Sequence, residues 1–139
     1  METTSTDRNF TIKNSEKCFR FKPDAFVNHA PAYKGIYELV TFDEKQNPKV
    51  LYVGAAFDKS IRDCLEGHAT GTLAPSAEKL LAEFPNLYFD YIAEMNAKSA
   101  DDAQDVYWYL VHKHSPPFND VASIKPSDRP GAINVTEVE

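Results

Sequence analysis

Two tyrosines bordered by glycines stand in the first half of a 139-residue chain: Lys34-Gly35-Ile36-Tyr37 and, fourteen residues after Tyr37, Leu51-Tyr52-Val53-Gly54. A phenol titrates near pH 10, and only a metal or cationic neighbours bring it within reach of general-base work at neutral pH. Tyrosine is equally a common strand residue at half-buried positions. Arg62 follows Gly54 by eight residues and carries a planar fork of donors; on an exposed helix face such a side chain is simply solvated. Glu66 stands one helical turn further on the same face. A carboxylate there either pairs with Arg62 or offers oxygens to a hard cation. His68, His112 and His114 are metal ligands by type only, since one ends a first helix and two lie on different faces of another. Cys18 and Cys64 form no disulfide framework and match no zinc spacing, so they read as reduced thiols of a cytoplasmic protein.

The elements that must position these residues follow from local pattern. Ile36 to Phe42 and Val50 to Val53 are rich in β-branched and aromatic types, and the polar run Asp43 to Lys49 between them is turn material, which predicts a β-hairpin. Asp58 to His68 predicts a helix with Asp58 as N-cap, Ile61, Cys64 and Leu65 at helical spacing, and Gly67 or Gly71 as the stop. A short amphipathic helix runs from Ser76 to Phe84 and ends at Pro85. Leu87 to Ile92 reads as a third strand. Ser99 caps a final helix over 100–114, with Asp101 and Asp102 in its first turn, and Ser115-Pro116-Pro117 stops it. The order predicts an α+β fold, a small three-stranded antiparallel sheet flanked by helices.

One domain suits this length, and 42% apolar residues supply a core. The division expected is an N-terminal tail and packing segment over 1–33, a domain over 34–120 and a C-terminal tail over 121–139. Residues 1–15 read as a frayed polar tail. No apolar run approaches the roughly eighteen residues of a membrane span, and the start Met1 to Asp7 lacks the pattern of a signal peptide. The net charge of −6 is uneven: residues 1–34 hold six Lys/Arg against four Asp/Glu, and residues 35–139 hold nine against seventeen. An acidic body disfavours tight nucleic-acid binding unless a local basic patch serves it.

The paired motifs resemble the opening of a GIY-YIG nuclease domain. The resemblance extends to the spaced Arg62 and to Pro116-Pro117-Phe118-Asn119, which closes the last helix as Pro-x-Tyr-Asn does in that family. It covers roughly Lys34 to Asn119. It implies that Tyr37 and Tyr52 would polarise a water, that Arg62 would hold the scissile phosphate, and that Asn119 would prop the site; Asn119 also suits a turn after two prolines. Two positions depart from the family. Twelve residues before Asn119 the family carries a metal-binding glutamate, and here stands Tyr107; directly after Gly54, where relatives often carry lysine, stands Ala55. A neutral phenol replaces a carboxylate poorly as a ligand for Mg²⁺. Asp105, two residues away, lies about 200° around the helix and should face elsewhere. The run Tyr107-Trp108-Tyr109 reads as core filling by Trp108 or Tyr107, or as a platform for stacking.

The resemblance therefore implies a nuclease-like domain associated with nucleic acid whose phosphodiester hydrolysis is lost or weakened. Two alternatives stay open. One is an active endonuclease using Mg²⁺ and Glu66 as the relocated ligand; the other is a module repurposed to bind a protein or small ligand.

Overall fold

A computed structural model describes residues 7–139. The part of the expected tail over residues 1–6 lies outside the described residues. The chain runs β1 (Arg8–Asn14), β2 (Phe19–Arg20), α1 (Pro23–His29), β3 (Gly35–Phe42), β4 (Pro48–Ala56), α2 (Ile61–Thr70), α3 (Ala77–Glu83), β5 (Tyr88–Met95), α4 (Ala100–His114), a 3₁₀ turn (Val121–Ser123) and β6 (Ile133–Val138). It is α+β, as the pattern predicts. No described helix is long and apolar enough to cross a membrane.

The sheet corrects the three-strand expectation. Its order is β4-β3-β5-β1-β6, with β2 also pairing β5, and it is mixed because β6 runs parallel to β1. The predicted strands form its β4-β3-β5 part, all antiparallel. The additional strands come from segments outside 34–120. In β1, Phe10 and Ile12 alternate with Asn9, Thr11 and Lys13, a period of two that buries both apolar residues while the average composition stays polar.

Asp105 explains why both ends of the chain join the sheet. It is fully buried on α4 and accepts from Arg8 Nε at 2.9 Å, the Ser127 amide at 2.7 Å, the Ser127 hydroxyl at 3.0 Å and Arg129 Nη2 at 2.6 Å. Burial alone would raise its carboxyl; these donors outweigh that and hold it below the ordinary carboxylate value. It faces away from the tyrosines, as expected, and clamps the residue that opens β1 to the segment that leads into β6.

Helices cover both faces of the sheet, and each covered face holds a core. On one, Phe26, Tyr37, Leu39, Leu51, Leu65, Leu80 and Phe89 pack beneath α1, α2 and α3. On the other, Phe10, Ile12, Ile36, Val53, Ile92, Val106 and Leu110 pack beneath α4. The register skips from Leu39↔Tyr52 to Val40↔Val50, a bulge at Leu51 that lets Leu51 and Tyr52 both pack on the Tyr37 side.

Local signals set the helix ends. Ser60, not the expected Asp58, caps α2 by accepting from the Asp63 amide at 3.0 Å, and Gly71 ends it in the left-handed region at φ +85. Ser76 and Ser99 cap α3 and α4 in the same way.

Candidate functional site

Tyr37 and Gly54 are directly opposed across the hairpin. The Tyr37 ring lies so close over Gly54 that a Cβ there would sit 2.1 Å from Cζ and 2.4 Å from the hydroxyl oxygen. The tyrosine of the first motif and the glycine of the second are thus one steric unit: the ring occupies the space a side chain would need. Gly35 has a milder constraint, its Cβ position lying 3.1 Å from Ile61 Cδ1 at the start of α2.

The hydroxyl that this stacking aims inward meets His68, whose Nε2 lies 2.6 Å from Tyr37 Oη. His68 Nδ1 lies 2.8 Å from the Pro75 carbonyl oxygen, which can only accept. Nδ1 therefore carries the proton, Nε2 accepts, and Tyr37 donates. Both side chains are essentially fully buried. Burial lowers the His68 pKa despite carbonyl contacts that favour the charged ring, and burial, reinforced by Tyr52, drives the Tyr37 phenol far above its ordinary value. The pair is neutral and satisfied on both sides.

The other aromatic candidates gather around it. Tyr52 lies 6.4 Å from the Tyr37 ring and edge-on to His68 at 5.3 Å. Its phenol is raised by burial and then by Cys64. Tyr107 on α4 packs edge-on against Phe57 at 6.1 Å, and burial, with Tyr52 nearby, pushes it up to about 12. Among the described residues, no cation lowers any of the three phenols. Trp108, by contrast, lies outside both cores and packs against His112 with the rings tilted and 5.2 Å apart, while Tyr107 and Tyr109 pack against the α4 core.

Arg62 turns elsewhere. Its Nε and Nη2 both donate to the carbonyl oxygen of Ala30, at 3.1 and 2.9 Å, and its amide donates to Pro31 O. Ala30 is the C-cap of α1, so the guanidinium satisfies one of the carbonyls that a helix end leaves unpaired. Glu66 is exposed, one turn from Arg62 and without an ion pair to it. Among the described residues, no group of three or more His, Cys, Asp and Glu side chains is arranged to hold a metal ion. The residues present, Tyr107 in place of a carboxylate and Glu66 on the outer side of α2, do not fit a Mg²⁺ site.

Asn119 is a structural residue of the hairpin's outer edge. Its Oδ1 accepts from the Val53 amide at 2.8 Å, its Nδ2 donates to the Val53 carbonyl at 3.0 Å, and the Phe118 amide donates to Leu51 O at 3.1 Å. Pro116–Asn119 is therefore a strap along the edge of β4, its side-chain amide standing in for a strand residue. The structure brings Tyr37 and Tyr52 together around His68, leaves Tyr107 in the α4 core within the electrostatic reach of Tyr52, and fixes Asn119 on Val53 next to Tyr52; Arg62 and Glu66 do not join them. Sequence reasoning missed His68 as the partner of Tyr37. Its distance of seven residues from Ile61, one face of a helix, was the available signal.

No protein-family model, curated protein or solved structure matches the chain.

Proposed function

We propose that the chain is a GIY-YIG-like domain in the cytoplasm that associates with nucleic acid and does not hydrolyse it. The observation that carries this reading is the Tyr37–His68 hydrogen bond: the residue that would serve as base keeps its proton and donates a hydrogen bond to a neutral histidine in a buried core. The engagement of Arg62 with Ala30 O and the phenol of Tyr107 support it in the same direction, since each removes a charge that cleavage of a phosphodiester needs. The association with nucleic acid rests on the motif resemblance.

The test is to incubate the protein with supercoiled, single-stranded and branched DNA in Mg²⁺ or Mn²⁺ and, in parallel, to measure DNA binding across a salt series. The expected result is no cutting and an affinity that falls steeply with salt. Cutting abolished by Arg62→Lys, a variant that keeps the charge, would sink the inactive reading. Salt-independent or absent DNA binding would leave a protein-binding module in its place.

A further inference from the structure

Among the described residues, three buried side-chain oxygens have no hydrogen-bond partner: Asn14 Oδ1, Glu38 Oε2 and Asp90 Oδ1. They come from three neighbouring strands. Glu38 and Asp90 stand directly opposite one another on β3 and β5. Asn14 of β1 is paired with Ile92, two positions along β5 from Asp90, and Ile92 is buried in the α4 core. Side chains alternate along a strand and directly paired residues share a face, so all three belong to the α4 side, whereas Tyr37, next to Glu38, packs on the other.

The donors at hand do not serve these atoms. The Cys18 thiol donates to the other oxygen of Asp90, Oδ2, at 3.7 Å. His114 Nε2 lies 3.4 Å from Glu38 Oε2 but makes no hydrogen bond to it. The ammonium of Lys113 is paired with Glu137 of β6. Glu38 is 2% exposed, and a carboxylate so placed needs a proton or a partner of opposite charge. One proton shared by the two acids leaves the Asn14 amide oxygen bare, because carboxylate and amide oxygens only accept. A cation serves all three oxygens at once, and a divalent one balances the charge of two carboxylates.

We propose that Asn14, Glu38 and Asp90 form a binding site for a hard divalent cation of the Mg²⁺, Mn²⁺ or Ca²⁺ class, held across β1, β3 and β5 near the C-terminal end of α4. Carboxylate and amide oxygens are the donors that such ions take. The Cys18 thiol, bonded to the far oxygen of Asp90, positions that carboxylate from behind. Cys18, Asp90 and His114 are only partly buried, which leaves the ion a way in. Two of the ligands are acids and the third is an amide, so the site is not a cluster of three or more His, Cys, Asp and Glu side chains, of which the described residues hold none. It lies across the sheet from Tyr37 and apart from Glu66 on α2, and it does not depend on nucleic-acid binding.

The experiment is a titration of the full chain with Mn²⁺, following the broadening of backbone amide signals by the paramagnetic ion. Broadening should saturate with one ion per chain and be greatest at Asn14, Glu38 and Asp90. Ca²⁺ or Mg²⁺ should reverse it by competition, and Glu38→Gln and Asp90→Asn should each weaken Mn²⁺ binding by about tenfold or more. Should these variants fail to fold, Asn14→Ala makes the same comparison by removing the amide ligand alone, and an unchanged affinity there overturns the three-ligand site. Broadening centred on Glu66, or spread over surface carboxylates and unchanged in Glu38→Gln, overturns the proposal. So does the absence of saturable binding, which would leave the acid pair holding a proton only.

Discussion

The two faces of the sheet bury polar groups by different rules. Beneath α2, Tyr37 and His68 offer one donor and one acceptor, so the pair is complete without any charge. Beneath α4, Glu38 and Asp90 each keep a buried oxygen without a hydrogen-bond partner, and burial favours their protonated forms. The difference teaches that burial has opposite pH consequences on the two sides. His68 has a lowered folded-state value, so its contribution is present above the ordinary 6.5 and is lost as pH falls below it. The acid pair has raised values, so its contribution is lost as pH rises from the ordinary carboxylate range.

The hardest blow to the first face is Gly54→Ala. With Tyr37 Cζ 2.1 Å from the new Cβ, the ring must leave its place and its bond to His68, and urea unfolding should show a loss of about 3 kcal/mol or more. A loss under about 1 kcal/mol would mean that the ring and the glycine are not one unit.

His68→Leu should cost about 1–3 kcal/mol by orphaning the Tyr37 hydroxyl, and Tyr37→Phe combined with it should cost less than the sum of the singles. An additive double mutant would separate the pair. Thermal unfolding of His68→Leu below about pH 6.5 should also lack the acid-side decline of the parent. A decline that persisted in full would assign it to other groups.

Asn119→Ala should remove about 1 kcal/mol by leaving Val53 of β4 to water, without changing the chemistry of either face. The smallest effect belongs to Glu66→Gln: exposed and unpaired with Arg62, it should change stability by less than about 0.5 kcal/mol. A larger change, or one that appears only with Mg²⁺ present, would give Glu66 a role that the geometry does not.

Much of the frame could be read in advance, for local reasons. The hairpin follows from β-branched and aromatic runs around Asp43–Asn47, where Asp43 accepts from the Lys45 and Asn47 amides. The cap of α4 at Ser99 and the stop of α2 at Gly71 lie in the chain next to the groups they satisfy. At α2 Asp58 and, two residues on, Ser60 are both capping types, and the helix starts directly after Ser60. The terminal strands were harder to see. β1 and β6 pair across about 125 residues, and neither has enough apolar residues to announce itself.

By its sequence alone, this protein determined α2, α3 and α4, its central hairpin and the glycine-bordered tyrosines on it, because propensity, capping and turn chemistry act within a few residues. Tertiary structure decided what those residues do. It gave Tyr37 a partner 31 positions away in His68, committed Arg62 to the end of α1, and set two carboxyls face to face. Protonation and donor pairing depend on which groups are dried together, and that follows only once the sheet and its helices have closed.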